Sequence, residues 1–139
     1  MKSLHLKIIT PKKVVVDEDI TSATIPGADG YLTILPRHTR LFALLAEGII
    51  VIKKGTEEDF LAIGGGYVDT DGSSMHVLVS RAYKQDEIDE ALTREALARA
   101  EKVLADVKES HERVEAARTV RRSILNLKLL KKRRRTPRV

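Results

Sequence analysis

The 139-residue chain has no cysteine and no tryptophan, and its aromatics are three tyrosines and two phenylalanines. Without cysteine it can build neither a disulfide framework nor a thiolate metal site. With so few rings, its core must come from Ile, Leu, Val and Ala, and single-stranded nucleic acid would find few stacking platforms. No uninterrupted apolar run approaches the ~20 residues that cross a bilayer. The opening Met1-Lys2-Ser3-Leu4-His5-Leu6-Lys7 also lacks the apolar stretch of a secretory signal. We therefore expect a soluble chain that meets a membrane only through a partner. Two further absences are local: residues 86–136 hold neither glycine nor proline, and no acidic residue follows Glu115.

Those local absences divide the chain. All eight glycines precede residue 73, so the first part is punctuated by turns and the second is an unbroken helical substrate. We expect β + α organisation: an antiparallel β-sandwich over residues 1–85, then an antiparallel two-helix hairpin over residues 86–139. Charge divides the same way. Residues 1–85 carry 10 basic and 10 acidic side chains, residues 86–115 carry 5 and 10, and residues 116–139 carry 10 and none, for a net +5. A basic block of this kind is an interaction tail, a helix meeting an acidic surface, or a solvated, frayed end.

In the first part Leu4, Leu6 and Ile8 alternate with His5 and Lys7, the period of a half-buried strand. Thr10-Pro11 turns the chain into Val14-Val15-Val16, and Asp17-Glu18-Asp19 reads as a charged corner before a strand over residues 20–25. Pro26-Gly27 and Asp29-Gly30 read as turn pairs, and Tyr31 opens a short strand that Pro36 ends. Further strands are expected over residues 41–46, 48–53, 60–63 and 67–68, with a charged turn at 54–58. Asp71-Gly72 signals a hairpin before a last strand over 75–79, for about nine strands in all. In the second part Asp86 is expected to cap a helix whose buried stripe is Ile88, Leu92, Ala96, Ala100, Val103 and Val107. Ser110 would cap a second helix with the stripe Val114, Ala117, Val120, Ile124 and Leu127. The alanine-rich first stripe buries little area per residue, so the hairpin should be held weakly.

Motifs for catalysis are missing. No lysine followed by Ser or Thr closes a G-x-x-x-x-G frame, and Gly64-Gly65-Gly66 suits a bulge or a crowded backbone crossing better than a phosphate cradle. His5, His38, His76 and His111 are scattered without ligand spacing. Asp69 and Asp71 flank a turn, and no serine has an evident base. A non-catalytic protein is expected, with no metal and no required cofactor.

One stretch is specific. The order G-x-L-x-I-L-P-x-H-x-x-L, running from Gly30 to Leu41, resembles the signature of the epsilon subunit of the rotary F-type ATP synthase. Thr33 stands where that family usually has a second glycine, and Tyr31 where it has a polar or acidic residue. Thr10-Pro11, Gly65-Gly66-Tyr67-Val68 and Asp86-Glu87-Ile88-Asp89 extend the resemblance over most of the chain.

The resemblance implies a rotor subunit, peripheral on the cytoplasmic face of the bacterial plasma membrane, that docks on the gamma subunit and the c ring through Gly30, Tyr31, Arg37, His38 and Arg40. It implies a regulatory hairpin that extends toward the alpha and beta subunits and restrains hydrolysis, with Arg118, Arg121, Arg122, Lys128, Lys131 and Lys132 among its cationic contacts. Many bacterial members resemble an I/L-D-x-x-R-A motif that holds regulatory ATP. Ile88-Asp89 match it, Leu92-Thr93 replace its Arg-Ala pair, and Arg99 and Arg122 would supply charge. The same residues also read as a core isoleucine, a helix-start acid and two surface charges. The competing function is nucleic-acid binding through the tail over residues 128–138. Against it stand the uncharged balance of the first part and the absence of a binding motif.

Overall fold

The computed structural model describes residues 3–132, which form two compact units, 3–84 and 85–132. Unit 1 holds ten strands: β1 (Leu4–Ile9), β2 (Val14–Ile20), β3 (Ser22–Gly27), β4 (Gly30–Ile34), β5 (Leu41–Leu45), β6 (Gly48–Lys54), β7 (Glu57–Ile63), β8 (Gly66–Thr70), β9 (Ser74–Val79) and β10 (Ala82–Lys84). Their order is β10-β7-β6-β3-β5-β8-β9-β1-β2, with β4 on β3. All pairs are antiparallel except β1 with β9, which no hairpin joins. One residue pair, Gly27 with Leu45, links β3 to β5. The sheet folds over there, and its two halves share one apolar core as a β-sandwich. Leu6, Ile8, Ile25, Ile50, Val68 and Val77 are each fully buried in that core. Burying such a side chain contributes about 1.5–3 kcal/mol.

The expected strands are present, with four corrections. Asp17-Glu18-Asp19 is not a corner but part of β2. Alternation sends Asp17 and Asp19 outward to His5, while Glu18 pairs with Lys54 at 3.0 Å, so each carboxylate has a partner and the strand need not end. Pro26-Gly27 is not a turn but the end of β3, and the turn is Ala28-Asp29. On the far side of β3 the partner changes from β6, last paired at Thr24, to β5, paired at Gly27, so Pro26 owes no ladder donor. The charged turn shrinks to Gly55-Thr56, because Glu57 and Glu58 pair with Lys54 and Lys53 within the β6–β7 ladder. Finally, β9 is followed by a tenth strand, β10, too short to leave a periodic pattern. Gly64 and Gly66 do lie at a crowded crossing: a Cβ would strike Ser80 Oγ at the first and the Leu78 carbonyl oxygen at the second.

Unit 2 holds a 3₁₀ turn (Gln85–Glu87) and two helices, α1 (Glu90–Asp106) and α2 (Ser110–Lys131). The cap of α1 is Asp89 rather than Asp86; its carboxylate accepts the Leu92 N–H at 3.0 Å. Ile88 therefore precedes the helix instead of opening its stripe. Glu109, not Ser110, occupies the cap position of α2 and makes no side-chain bond there. The covered face of α1 runs through Ala96, Leu97, Ala100, Val103 and Leu104, and Leu92 is exposed. On α2, Ala116 and Ser123 are buried, while Val114 and Ile124 lie outside. Small residues at these positions let the helices approach closely; Ala96 and Ala100 lie where the α1 stripe put them, whereas Ala116 and Ser123 lie off the expected α2 stripe. Arg113 donates to the carbonyls of Leu104 and Val107, closing the turn end of the hairpin. Gln85 donates to the carbonyls of Leu129 and Lys132, closing the other end. No helix among the described residues is long and apolar enough to cross a membrane.

Candidate functional site: the contact surfaces of the sandwich

Strand β4 places the five expected contact residues at its two ends. Gly30 (φ 133°) and Tyr31 (62% exposed) begin it. Arg37, His38 and Arg40 follow it, in a segment over residues 35–40 without regular pairing. At about 3.3 Å per residue, Gly30 and Leu35 are roughly 16 Å apart, so these are two small surfaces rather than one.

At the second surface the backbone is tightly determined. Arg37 is in the left-handed region at φ 68°, and its N–H donates to the Gly72 carbonyl at 2.8 Å. The His38 N–H donates to the Leu35 carbonyl at 3.1 Å, and His38 Nδ1 lies 2.7 Å from the Thr39 carbonyl oxygen. Arg37 and Arg40 are exposed, and His38 is half-buried. The neighbouring Asp71 carboxylate accepts from Ser74 N–H, Ser73 N–H and the Ser73 hydroxyl. These bonds, with the charge of Arg40, hold its carboxyl down at about 2.

A third surface escapes the sequence. The register β5-β8-β9-β1-β2 aligns Leu44, Tyr67, Leu78, Ile9 and Val14 in one row on the outer face. Phe42 extends it, 63% exposed, with its ring 5.3 Å from that of Tyr67. Leu44 is 62% exposed. The adjoining row is Asp69, His76, Lys7 and Asp17, so the apolar band has a charged rim. An open groove runs along it past Pro11 and Tyr67. A contiguous apolar band rimmed by charge marks an interaction site. Its sequence traces are runs apolar on both alternating faces: Leu41-Phe42-Ala43-Leu44-Leu45, Ile8-Ile9 and Val14-Val15-Val16.

In unit 2, Asp89 spends its carboxylate on the α1 cap. Arg99 lines an open cleft with Ala96, Val103, Glu112 and Glu115, and Arg122 is not among the lining residues. Of the residues expected to hold regulatory ATP, Ile88 precedes α1, Asp89 caps it, and Arg99 and Arg122 are exposed on α1 and α2. Arg118, Arg121, Arg122, Lys128, Lys131 and Lys132 are all exposed; Arg118 lies 3.7 Å from Glu115. Lys128 and Lys131 occupy the last turn of α2, where cations suit the helix dipole. The basic residues from 133 onward lie outside the described residues.

Comparison with known proteins follows the same division. Residues 3–85 match the family model of the ATP synthase delta/epsilon chain β-sandwich domain. The ATP synthase epsilon chain of Dehalococcoides mccartyi is 35% identical over 140 residues, spanning all of both chains. That of Moorella thermoacetica is 33% identical over 129 residues, 92% of this chain and 96% of its own. In fold, the chain is similar to one in the Euglena gracilis mitochondrial ATP synthase (OSCP/F1/c-ring), with TM-score 0.73 and 19% identity over 94% of this chain and 79% of that one. It is also similar to a chain of the central stalk/c-ring of Tetrahymena thermophila mitochondrial ATP synthase, with TM-score 0.58 and 17% identity, covering 94% and 100%.

Proposed function

This chain belongs to the epsilon chain family of ATP synthase, and from that premise we propose that it is the non-catalytic rotor subunit coupling gamma to the c ring. The observation that carries the reading is the outer row Leu44-Tyr67-Leu78-Ile9 with its charged rim. Large side chains in register across four strands, exposed at Leu44 and Tyr67 and half-buried at Leu78 and Ile9, suit a rigid, largely apolar partner face, which we assign to gamma. The two ends of β4, with Gly30 and Tyr31 at one and Arg37, His38 and Arg40 at the other, offer smaller polar contacts for the c ring. The subunit then sits peripherally on the cytoplasmic face of the bacterial plasma membrane. The helices of unit 2 regulate hydrolysis: their small-residue seam allows opening, and Arg118, Arg121, Arg122, Lys128, Lys131 and Lys132 supply cations for an acidic surface of alpha and beta. No cofactor is required for this role.

The test is co-purification with gamma from detergent-solubilised membranes. Phe42→Glu together with Leu44→Glu places two carboxylates in the band; exposed substitutions of this kind change stability by only about 0.5 kcal/mol each. Recovery of the complex should fall at least tenfold while the variant keeps its cooperative unfolding. Undiminished recovery would remove this face from the interface.

A further inference from the structure

The segment over residues 35–40 has no ladder of its own, yet it holds Arg37 at φ 68°, the one non-glycine with positive φ among the described residues. Such a conformation persists only where its surroundings over-determine it. Here the surroundings are the β8–β9 turn. The Gly72 carbonyl takes the Arg37 N–H at 2.8 Å. Gly72 itself sits at φ 93°, and a Cβ there would strike the His38 carbonyl oxygen and come within 3.2 Å of Arg37 Cα. The two left-handed residues are therefore packed backbone to backbone, with no room for a side chain between them.

The turn is in its own right well anchored. The Gly72 N–H donates to Thr70 Oγ1 at 3.2 Å, and that buried hydroxyl donates to the Ser74 carbonyl at 2.8 Å. Asp71 Oδ1 accepts three bonds, from Ser73 N–H at 2.9 Å, the Ser73 hydroxyl at 2.9 Å and Ser74 N–H at 2.8 Å. A chain of bonds thus runs from a closed turn on the core strands β8 and β9 to the amide of Arg37.

We propose that the Asp71-Gly72 turn is a positioning device that locks Arg37 in its left-handed conformation and so sets the direction in which Arg37, His38 and Arg40 meet a partner. The inference rests on the rotor-docking reading and deepens it: Asp71 and Gly72 touch no partner but hold the residues that do. A segment ordered in advance loses little conformational freedom on docking, whereas a loose one must be ordered by the partner.

The experiment uses the full-length chain, with hydrogen exchange at the Arg37 amide and retention on the assembled synthase as its two readouts. Asp71→Ala and Gly72→Ala should each accelerate Arg37 exchange by about tenfold or more, leave the β6 and β9 amides protected, and weaken retention by about tenfold. Asp71→Asn keeps an acceptor oxygen and should restore both slow exchange and retention. Should Gly72→Ala fail to fold, the contrast of Asp71→Ala with Asp71→Asn decides. Unchanged Arg37 exchange in the alanine variants overturns the positioning role. So does faster exchange with full retention; in that case, lost retention of the Phe42→Glu, Leu44→Glu chain would leave the rotor reading standing.

Discussion

His5 and Asp71 couple the sandwich to pH in opposite directions. Both ring nitrogens of His5 face carboxylates, Nδ1 at 2.7 Å from Asp19 and Nε2 at 2.5 Å from Asp17. Only the imidazolium can donate to both. The Asp19 bond, then the Asp17 bond, raises its pKa above 6.5. A raised folded-state pKa means stabilisation that is complete below the unfolded value and lost as pH rises through the folded one. His5→Ala should therefore lower the urea midpoint below pH 6.5, and its gap from the parent chain should close at alkaline pH. A gap independent of pH would show that His5 acts through packing. Asp71 works the other way. Its carboxyl is held down from 3.8 to about 2, so its contribution is present above 3.8 and disappears as pH falls through about 2. Asp71→Asn should flatten the acid limb of the stability curve, read by unfolding between pH 2 and 5. In the core, Ile50→Ala should cost about 2–5 kcal/mol, since a fully buried side chain would leave a cavity behind it.

At the level of elements, the two units are held together internally by different means. The sandwich uses continuous ladders and large aliphatic side chains. The hairpin uses small residues along its seam and polar closures at its ends, Arg113 at the turn and Gln85 on the last carbonyls of α2. Gln85→Ala should speed amide exchange at the C-terminal end of α2 and leave the Asp89-capped start of α1 unchanged; uniform acceleration through both helices would assign Gln85 a wider role. Asp89→Ala, which removes the cap bond to Leu92, should cost about 0.5–2 kcal/mol of helix stability. The N-terminal position of α2, where Glu109 makes no side-chain cap, is a natural place for that helix to fray.

For the whole molecule, every residue of the large apolar core lies in unit 1. Truncation after Lys84 should leave a cooperative β-type unfolding transition; a product without near-ultraviolet signal would mean that the sandwich needs residues beyond it. Under the proposed regulation, deleting residues 117–139 should raise ATP hydrolysis by the assembled enzyme, most clearly at low ionic strength, with attachment intact. Equal hydrolysis across salt concentrations would remove the inhibitory role. The sequence by itself determined the division into a glycine-punctuated part and a glycine-free part, the alternation of β1, and the family phrase from Gly30 to Leu41. These are local signals, carried by residues a few positions apart. The tertiary structure alone decided the rest. Alternation could not choose a face for Phe42 and Leu44, because residues 41–45 are apolar on both; the β5–β8 register turned those two outward. Asp17 and Asp19 remained in a strand because His5, far away in sequence, met them. Ala96, Ala100 and Val103 of the helical seam were legible in the α1 stripe. The structure, however, left Leu92 outside and buried Ala116 and Ser123 rather than Val114 and Ile124, because close approach rewards small side chains. The bond from Arg37 to Gly72 joins segments 35 residues apart, and no periodicity in the chain encodes a pairing of two loops.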